Sequence, residues 1–356
     1  MIALKISLMA ILILVLVACS SETPDPISGT PEKPEASLQT STSISKAMTT
    51  ATETVTVQSA DMPTPVPTEN RMVSDSEEAA GDTYVNDRSG DLDGLISIDL
   101  IDKTLRCAMG KPSMSLKSSC TLDPAVDRGL FETGIKPRFP DDIQCRGIDD
   151  YWAMDYSKKR QPKKSKKGKE QPIQLHGGID MPAPFGTPIY ASADGTVVGK
   201  FRGDDNLRGI EIVLRHSPDD TGLPVWTFTQ YTHFSDMPVH EIGQLVSKGE
   251  FLGPTGNTGI SHKTGKQSET RRPAVHFGVI YNETGNYGVL KDIAIIPEEG
   301  YWMDPNAFFL IDHPFDTASL AALPERNKEV SIPVMLEDGT TIPSETRTMW
   351  PYKCSH

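Results

Sequence analysis

Three short runs in the second half of the chain alternate between apolar and polar residues, and they constrain its fold more than any other feature. They are Gly209–His216, Val225–His233 and Val275–Tyr281. A period of two is typical of a half-buried β-strand, because successive side chains point to opposite faces of a sheet. An Asp194-Gly195 pair lies between two further short runs, 187–191 and 196–201, and such a pair is a strong hairpin signal. With no convincing helical periodicity, the sequence predicts a mainly β fold with an antiparallel sheet core, closely spaced hairpins and long loops.

The N-terminus has the pattern of an export signal. Lys5 is followed by an unbroken apolar stretch, Ile6–Ala18, which has the length of a signal-peptide core and is too short for a comfortable membrane span. The stretch ends in Leu16-Val17-Ala18-Cys19, which resembles a bacterial lipobox. We therefore expect removal of residues 1–18, lipidation of Cys19 and a membrane-anchored location in the extracytoplasmic cell envelope. An ordinary signal peptide with a chance cysteine is the alternative.

Residues 19–90 are predicted to form a disordered tether. They are rich in Ser, Thr, Pro and Glu, and Tyr84 is their single aromatic residue. Such a composition cannot bury enough apolar surface to offset the entropy of ordering. A flexible chain of this length has a root-mean-square span of roughly 45–50 Å, which would let a domain reach away from a membrane surface.

Cysteine usage fits an oxidising compartment. If Cys19 is lipidated, four cysteines remain: Cys107, Cys120, Cys145 and Cys354. An even number outside the cytoplasm predicts two disulfides, and the sequence does not choose among the three possible pairings. We expect Cys354 to tie the C-terminus back to the body of the fold.

Two separated motifs offer metal ligands. His176-Gly-Gly-Ile-Asp180 supplies a histidine and a carboxylate, and His276 follows about a hundred residues later. In a straight strand, residues four apart lie about 13 Å from each other, too far to share an ion. Gly177 and Gly178 let the backbone bend so that the two side chains can converge. Histidine nitrogen and carboxylate oxygen are standard zinc ligands.

These motifs belong to an ordered set that resembles lysostaphin-type (LytM-domain) peptidoglycan metalloendopeptidases. The set covers about residues 151–305 and comprises His176–Asp180, Ala183–Ala191, Ala193–Val197, Tyr231-Thr-His233, Gly256–Gly259, Val275-His-Phe277 and Met303-Asp-Pro305. The resemblance implies a fold of duplicated-hybrid-motif, barrel-sandwich-like hairpins. It also implies a zinc ion (Zn2+) held by His176, Asp180 and His276, with His233 as a catalytic residue outside the ligand set. The implied reaction is hydrolysis of peptide crosslinks of peptidoglycan by a zinc-activated water.

One expected residue is replaced. Family members carry His-x-His at the second motif, and Ala274 stands here in place of the first histidine. Loss of a general acid or base typically reduces the rate by about 10²–10⁴. The alternative function is therefore a catalytically impaired zinc-binding module that recognises the wall or regulates another hydrolase. His262 and Glu269, in the preceding polar segment, are candidates to replace the lost imidazole, and a flexible polar loop is the other interpretation.

The charge of the chain bears on its partners. A formal net charge of −13 argues against general nucleic-acid binding. One basic run, Lys158–Lys169, lies just before His176 and is a candidate contact for anionic wall polymers or lipid headgroups. A solvated loop is the alternative, because like charges repel one another.

We therefore expect a monomer with five segments. These are a signal peptide (1–18), a lipidated tether (19–90), a cysteine-containing region packed on the core (91–150), the LytM-like domain (151–313) and a C-terminal extension (314–356). The hairpin pattern also resembles biotinyl or lipoyl carrier domains, which carry a lysine at a hairpin tip beside methionine. Lys248 lies instead in a Ser-Lys-Gly sequence, and that interpretation would leave the metal-ligand motifs unexplained.

Overall fold

The structure, a computed structural model, describes residues 92–110, 122–148, 156–157, 175–204, 206–260, 266–267, 271–310 and 314–356. These residues all belong to one unit of the chain, residues 80–356. The expected signal peptide and tether, Cys19, Cys120, Lys158–Lys169, His262 and Glu269 lie outside the described residues. Within the described ranges, no helix is both long and apolar enough to cross a membrane.

Strands account for most of the regular structure. In chain order they are β1 Lys136–Arg138, β2 Gln144–Cys145, β3 Ile179–Pro182, β4 Pro188–Tyr190, β5 Gly195–Phe201, β6 Ile210–His216, β7 Trp226–Phe234, β8 Leu245–Val246, β9 Phe251–Pro254, β10 Ala274–Asn282, β11 Tyr287–Leu290, β12 Ala294–Pro297, β13 Tyr301–Met303, β14 Glu329–Ser331, β15 Val334–Leu336, β16 Thr341–Ile342 and β17 Lys353–Ser355. The helices are α1 Lys103–Gly110, α2 Leu122–Asp127, α3 Pro218–Thr221 and α4 Thr317–Ala322, with 3-10 turns at Ile98–Leu100, Pro305–Phe309 and Glu325–Asn327. Such short helices leave little periodic signal in a sequence.

A seven-stranded antiparallel sheet forms the centre of the fold. Its order is β13–β10–β7–β6–β5–β8, and β3 also pairs with β10. The three alternating runs of the sequence form β6, β7 and β10, which are neighbours in this sheet. The prediction of a mainly β fold with an antiparallel core is confirmed.

Both faces of the sheet are covered, so the side chains on both sides of its central strands are buried. A half-buried strand would expose one of its two sides. Ile212 and Phe277 face the larger apolar core, whereas Val213, Phe228 and Tyr287 form a second cluster. Polar positions on the central strands are consequently buried as well. Since His276 precedes Phe277 in β10, its side chain lies on the face away from the larger core.

The predicted hairpin at Asp194-Gly195 is wrong. β4 pairs with β9, whereas β5 pairs with β6 and β8. The N–H groups at the end of β4 donate to other segments, with Tyr190 bonded to the Pro351 carbonyl and Ala191 to the Glu250 carbonyl. Long-range partners therefore take the place of the local turn that the Asp-Gly signal indicates.

The C-terminal strands share a sheet with an element from the N-terminal region. Its order is β16–β15–β17–β2, and a disulfide between Cys145 and Cys354 joins β2 to β17. Cys354 thus ties the C-terminal segment to the body of the fold, as expected, and Cys107 is also disulfide-bonded. Two residues before Cys354, the buried Tyr352 hydroxyl donates to the Met181 carbonyl at 3.2 Å. The C-terminal segment therefore contacts β3 directly.

Candidate metal centre and active site

The three metal-ligand candidates converge on one point. Suitable donor atoms of His176, Asp180 and His276 all lie within 4.8 Å of one another. Oδ1 of Asp180 is 2.9 Å from Nδ1 of His276 and 3.2 Å from Nε2 of His176. The two imidazole rings contact each other edge to face, with centroids 4.7 Å apart. Both motifs therefore contribute to a single candidate site.

Strand pairing explains this convergence. β3 runs antiparallel to β10 with Asp180 directly opposite His276, so both side chains project from the same face of the sheet. His176 precedes β3, and the chain passes close to the His276 ring at Gly178. A Cβ atom at Gly178 would lie 2.8 Å from His276 Nε2 and closer still to the Phe277 carbonyl oxygen. The second glycine of the motif is therefore required by close approach.

Replacing Gly178 by alanine is expected to disturb the metal centre directly. The added methyl group must displace His276 or β10, and such overpacking typically costs 1–3 kcal/mol. We expect a lower melting temperature and weaker zinc binding, measured by calorimetry and chelator competition. Gly177→Ala is the matched control, because a Cβ atom at that position would meet the Trp302 side chain and not the His276 ring. Its nearest neighbour would be Trp302 Nε1, at 3.2 Å. Equal losses of melting temperature and of zinc binding in the two variants would contradict the close contact assigned to Gly178 and His276.

The electrostatics of the cluster suit a cation. Burial by itself would raise the pKa of Asp180, but the His176 and His276 rings hold it well below its ordinary value. Burial lowers the pKa of His276, so that its ring is neutral and offers a lone pair near neutral pH. Nδ1 of His176 is buried without a hydrogen-bond partner among the described residues. Two imidazoles, one of them with an unsatisfied buried nitrogen, and one carboxylate match the donor set of a catalytic zinc site.

His233 lies beside this cluster and is not one of its converging donors. Its ring centroid is 6.3 Å from that of His276, and its backbone adopts a positive φ of 69° near the end of β7. A positive φ is uncommon for a residue other than glycine and marks a locally strained backbone. Nδ1 lies 2.8 Å from the Thr258 carbonyl oxygen. Burial and the neighbouring Arg271 guanidinium lower the pKa of His233 to about 3, so the ring is neutral.

Ala274 begins β10, opposite Pro182, and its N–H donates to the Gly256 carbonyl at 3.2 Å. Its methyl side chain supplies no proton donor or acceptor. The Arg271 side chain does contact His233, with its Nη1 3.0 Å from His233 Nδ1. Sequence reasoning missed Arg271, and its position three residues before Ala274 gives no signal of this contact.

The segment that contains this site matches a known family. Residues 174–286 match the model of the family described as Peptidase family M23. The matched range includes His176, Asp180, His233 and His276. The resemblance inferred from the motifs is therefore confirmed.

Individual relatives match over limited stretches. A segment of 87 residues is 37% identical to the peptidoglycan DD-endopeptidase ShyA of Vibrio cholerae, covering 24% of this chain and 18% of that protein. A segment of 126 residues is 31% identical to the uncharacterized lipoprotein YgeR of Escherichia coli K12, covering 35% of this chain and 40% of that protein. Among solved structures, the lysostaphin catalytic domain from Staphylococcus simulans has 24% identity and a TM-score of 0.26, covering 36% of this chain and 79% of that one.

Proposed function

We propose that this protein is a zinc metalloendopeptidase of the cell envelope that hydrolyses peptide crosslinks of peptidoglycan. The observation that carries the proposal is the convergence of His176, Asp180 and His276 within a domain of peptidase family M23. The peptidoglycan endopeptidase among the relatives supports the choice of substrate.

The cluster residues would bind the metal in this mechanism. His176 and His276 would donate nitrogen lone pairs and Asp180 a carboxylate oxygen, a donor set typical of a catalytic zinc ion. When bound, zinc supplies the Lewis acidity that activates water and polarises a carbonyl group. The pairing of β3 with β10 holds two of the three ligands on rigid strands, so little ordering is required on binding.

His233 is assigned to orienting the attacking water. Its Nδ1–H donates to the Thr258 carbonyl, which leaves Nε2 as the ring's hydrogen-bond acceptor. A pKa of about 3 keeps the ring neutral but makes it a weak base. Accepting a hydrogen bond from water is therefore a better role for this ring than holding a proton.

Location and attachment form part of the same proposal. A relative named as a lipoprotein and one named as a peptidoglycan endopeptidase support an extracytoplasmic site of action. We propose that lipidated Cys19 anchors the chain and that residues 20–90 span the distance to the wall. Lys158–Lys169 would contact anionic wall polymers.

Digestion of purified peptidoglycan by the full-length protein in detergent tests the proposal, with zinc content measured on the same sample. We expect crosslink fragments from the wild type and none from His276→Ala, because that variant lacks a ligand. Bound zinc without wild-type cleavage, together with cleavage gained in Ala274→His, would contradict the enzyme proposal. That result would instead establish a non-catalytic zinc-binding module.

A further inference from the structure

Arg271 connects the two loops that enclose His233. Its Nη1 donates to the Thr258 carbonyl at 2.9 Å and to the Leu207 carbonyl at 3.3 Å, and its Nη2 donates to the Ile260 carbonyl at 3.2 Å. Leu207 belongs to the connection before β6, whereas Thr258 and Ile260 follow β9. One guanidinium thus satisfies carbonyl groups from two segments that are distant in sequence.

The same guanidinium lies against the His233 ring. Its Nη1 is 3.0 Å from Nδ1 and 3.4 Å from Nε2 of the imidazole. The Thr258 carbonyl oxygen, 2.8 Å from Nδ1, also accepts from Nη1 of Arg271. His233 and Arg271 therefore share one acceptor.

This shared acceptor selects one tautomer of His233. A carbonyl oxygen can only accept, so the 2.8 Å contact with Thr258 is a hydrogen bond when Nδ1 carries the proton. Nη1 of Arg271 can only donate, so it then lies 3.0 Å from Nδ1 as a packing contact and directs its hydrogens to the Thr258 and Leu207 carbonyls. If Nδ1 were unprotonated, its lone pair would face the lone pairs of that oxygen. Because Arg271 holds the Thr258 carbonyl in place, it also maintains the hydrogen bond that leaves Nε2 as the acceptor.

Further contacts tie the same parts together. The His233 N–H donates to the Arg208 carbonyl at 3.1 Å, next to Leu207. The side-chain amide of Asn257 donates to the Arg271 carbonyl at 3.3 Å. The positive φ of His233 is therefore held on both sides, by the loop before β6 and by the loop after β9.

We propose that Arg271 is the positioning residue for His233, fixing its ring orientation and tautomer in a site where Ala274 supplies no second imidazole. The inference rests on the proposed function, since a positioned water-orienting ring matters only if the site hydrolyses a bond. A planar guanidinium with five fixed donors can reach three carbonyls at once, and a lysine ammonium cannot reproduce that arrangement.

The test uses full-length protein in detergent with its histidines labelled with ¹⁵N, in the wild type, Arg271→Lys and Arg271→Ala. The ¹⁵N shifts of the His233 ring are recorded without metal and assigned by difference from His233→Ala. We expect one tautomer with Nδ1 protonated in the wild type, and averaging between tautomers in both variants. Zinc content should be retained, and kcat on peptidoglycan should fall by roughly 10–10²-fold, as for a misplaced catalytic group. Added guanidinium should restore part of the activity of Arg271→Ala.

Arg202→Ala is the control. The Arg202 side chain is 71% exposed, and its salt bridge among the described residues is with Asp204. It should change neither the ring shifts nor kcat. An unchanged His233 tautomer in both Arg271 variants would overturn the inference even if the enzyme is active. If the wild type fails to cleave while the ring shifts still depend on Arg271, the proposed function fails and the positioning role stands. Melting temperatures identify a variant that has lost its fold, and Arg271→Lys then provides the milder comparison.

Discussion

Replacing Asp180 by asparagine is expected to abolish zinc binding and peptidoglycan hydrolysis together. The amide keeps the shape of the carboxylate but removes the single negative charge among the three converging donors. Mutation of outer-shell partners already reduces metal affinity by 10–100-fold, so loss of a direct ligand should cost more than about 10²-fold. Chelator competition measures the affinity, and fragment release from peptidoglycan measures the activity.

Thermal unfolding gives an independent measurement of the same loss. A ligand that binds the folded state stabilises it by about 2.7 kcal/mol at a hundredfold excess over its Kd. Zinc should therefore raise the melting temperature of the wild type and leave that of Asp180→Asn almost unchanged. Asp204→Asn is the control, since the Asp204 side chain is 73% exposed, and it should respond as the wild type does. Zinc stabilisation of Asp180→Asn equal to that of the wild type would refute the assignment of the ligands.

Replacing His233 by alanine is expected to reduce kcat by about 10²–10⁴ while zinc content stays near that of the wild type. The two effects should separate because the His233 ring lies beside the ligand cluster, 6.3 Å from the His276 ring, and does not belong to it. Ala274 supplies no second imidazole that could compensate for the loss. Single-turnover digestion and metal analysis of the same preparation check both parts.

The control for this change is His356→Ala, an exposed histidine near the end of the chain. It should retain wild-type kcat and zinc content. If His233→Ala instead loses zinc, the ring acts as a ligand, and the role proposed for it is wrong. If kcat is unchanged, the site orients water by another group.

The metal-ligand candidates could be predicted from the sequence because local geometry and strand alternation determine most of their placement. The alternating run that became β10 puts His276 on one defined face, and the Gly177-Gly178 pair indicates a close turn before Asp180. Close approach explains the second glycine, since a side chain at Gly178 would meet the His276 ring. What the pattern alone could not give was the register that sets Asp180 opposite His276.

Arg271 could not be predicted in the same way. It lies outside any strand, and its role depends on three carbonyls from two distant loops. Neither periodicity nor motif spacing contains information about such a contact. The same limit explains the false hairpin at Asp194-Gly195, since the strands on either side find their partners far along the chain.

The contact between Tyr352 and Met181 has a consequence for the order of folding. The two residues are separated by 171 positions in the sequence. The disulfide between Cys145 and Cys354 joins residues that are 209 positions apart. Chain-closure entropy makes such distant contacts slow to form, compared with the pairing of neighbouring strands such as β6 and β7. The strand that carries Asp180 thus receives the support of the C-terminal segment only late in folding.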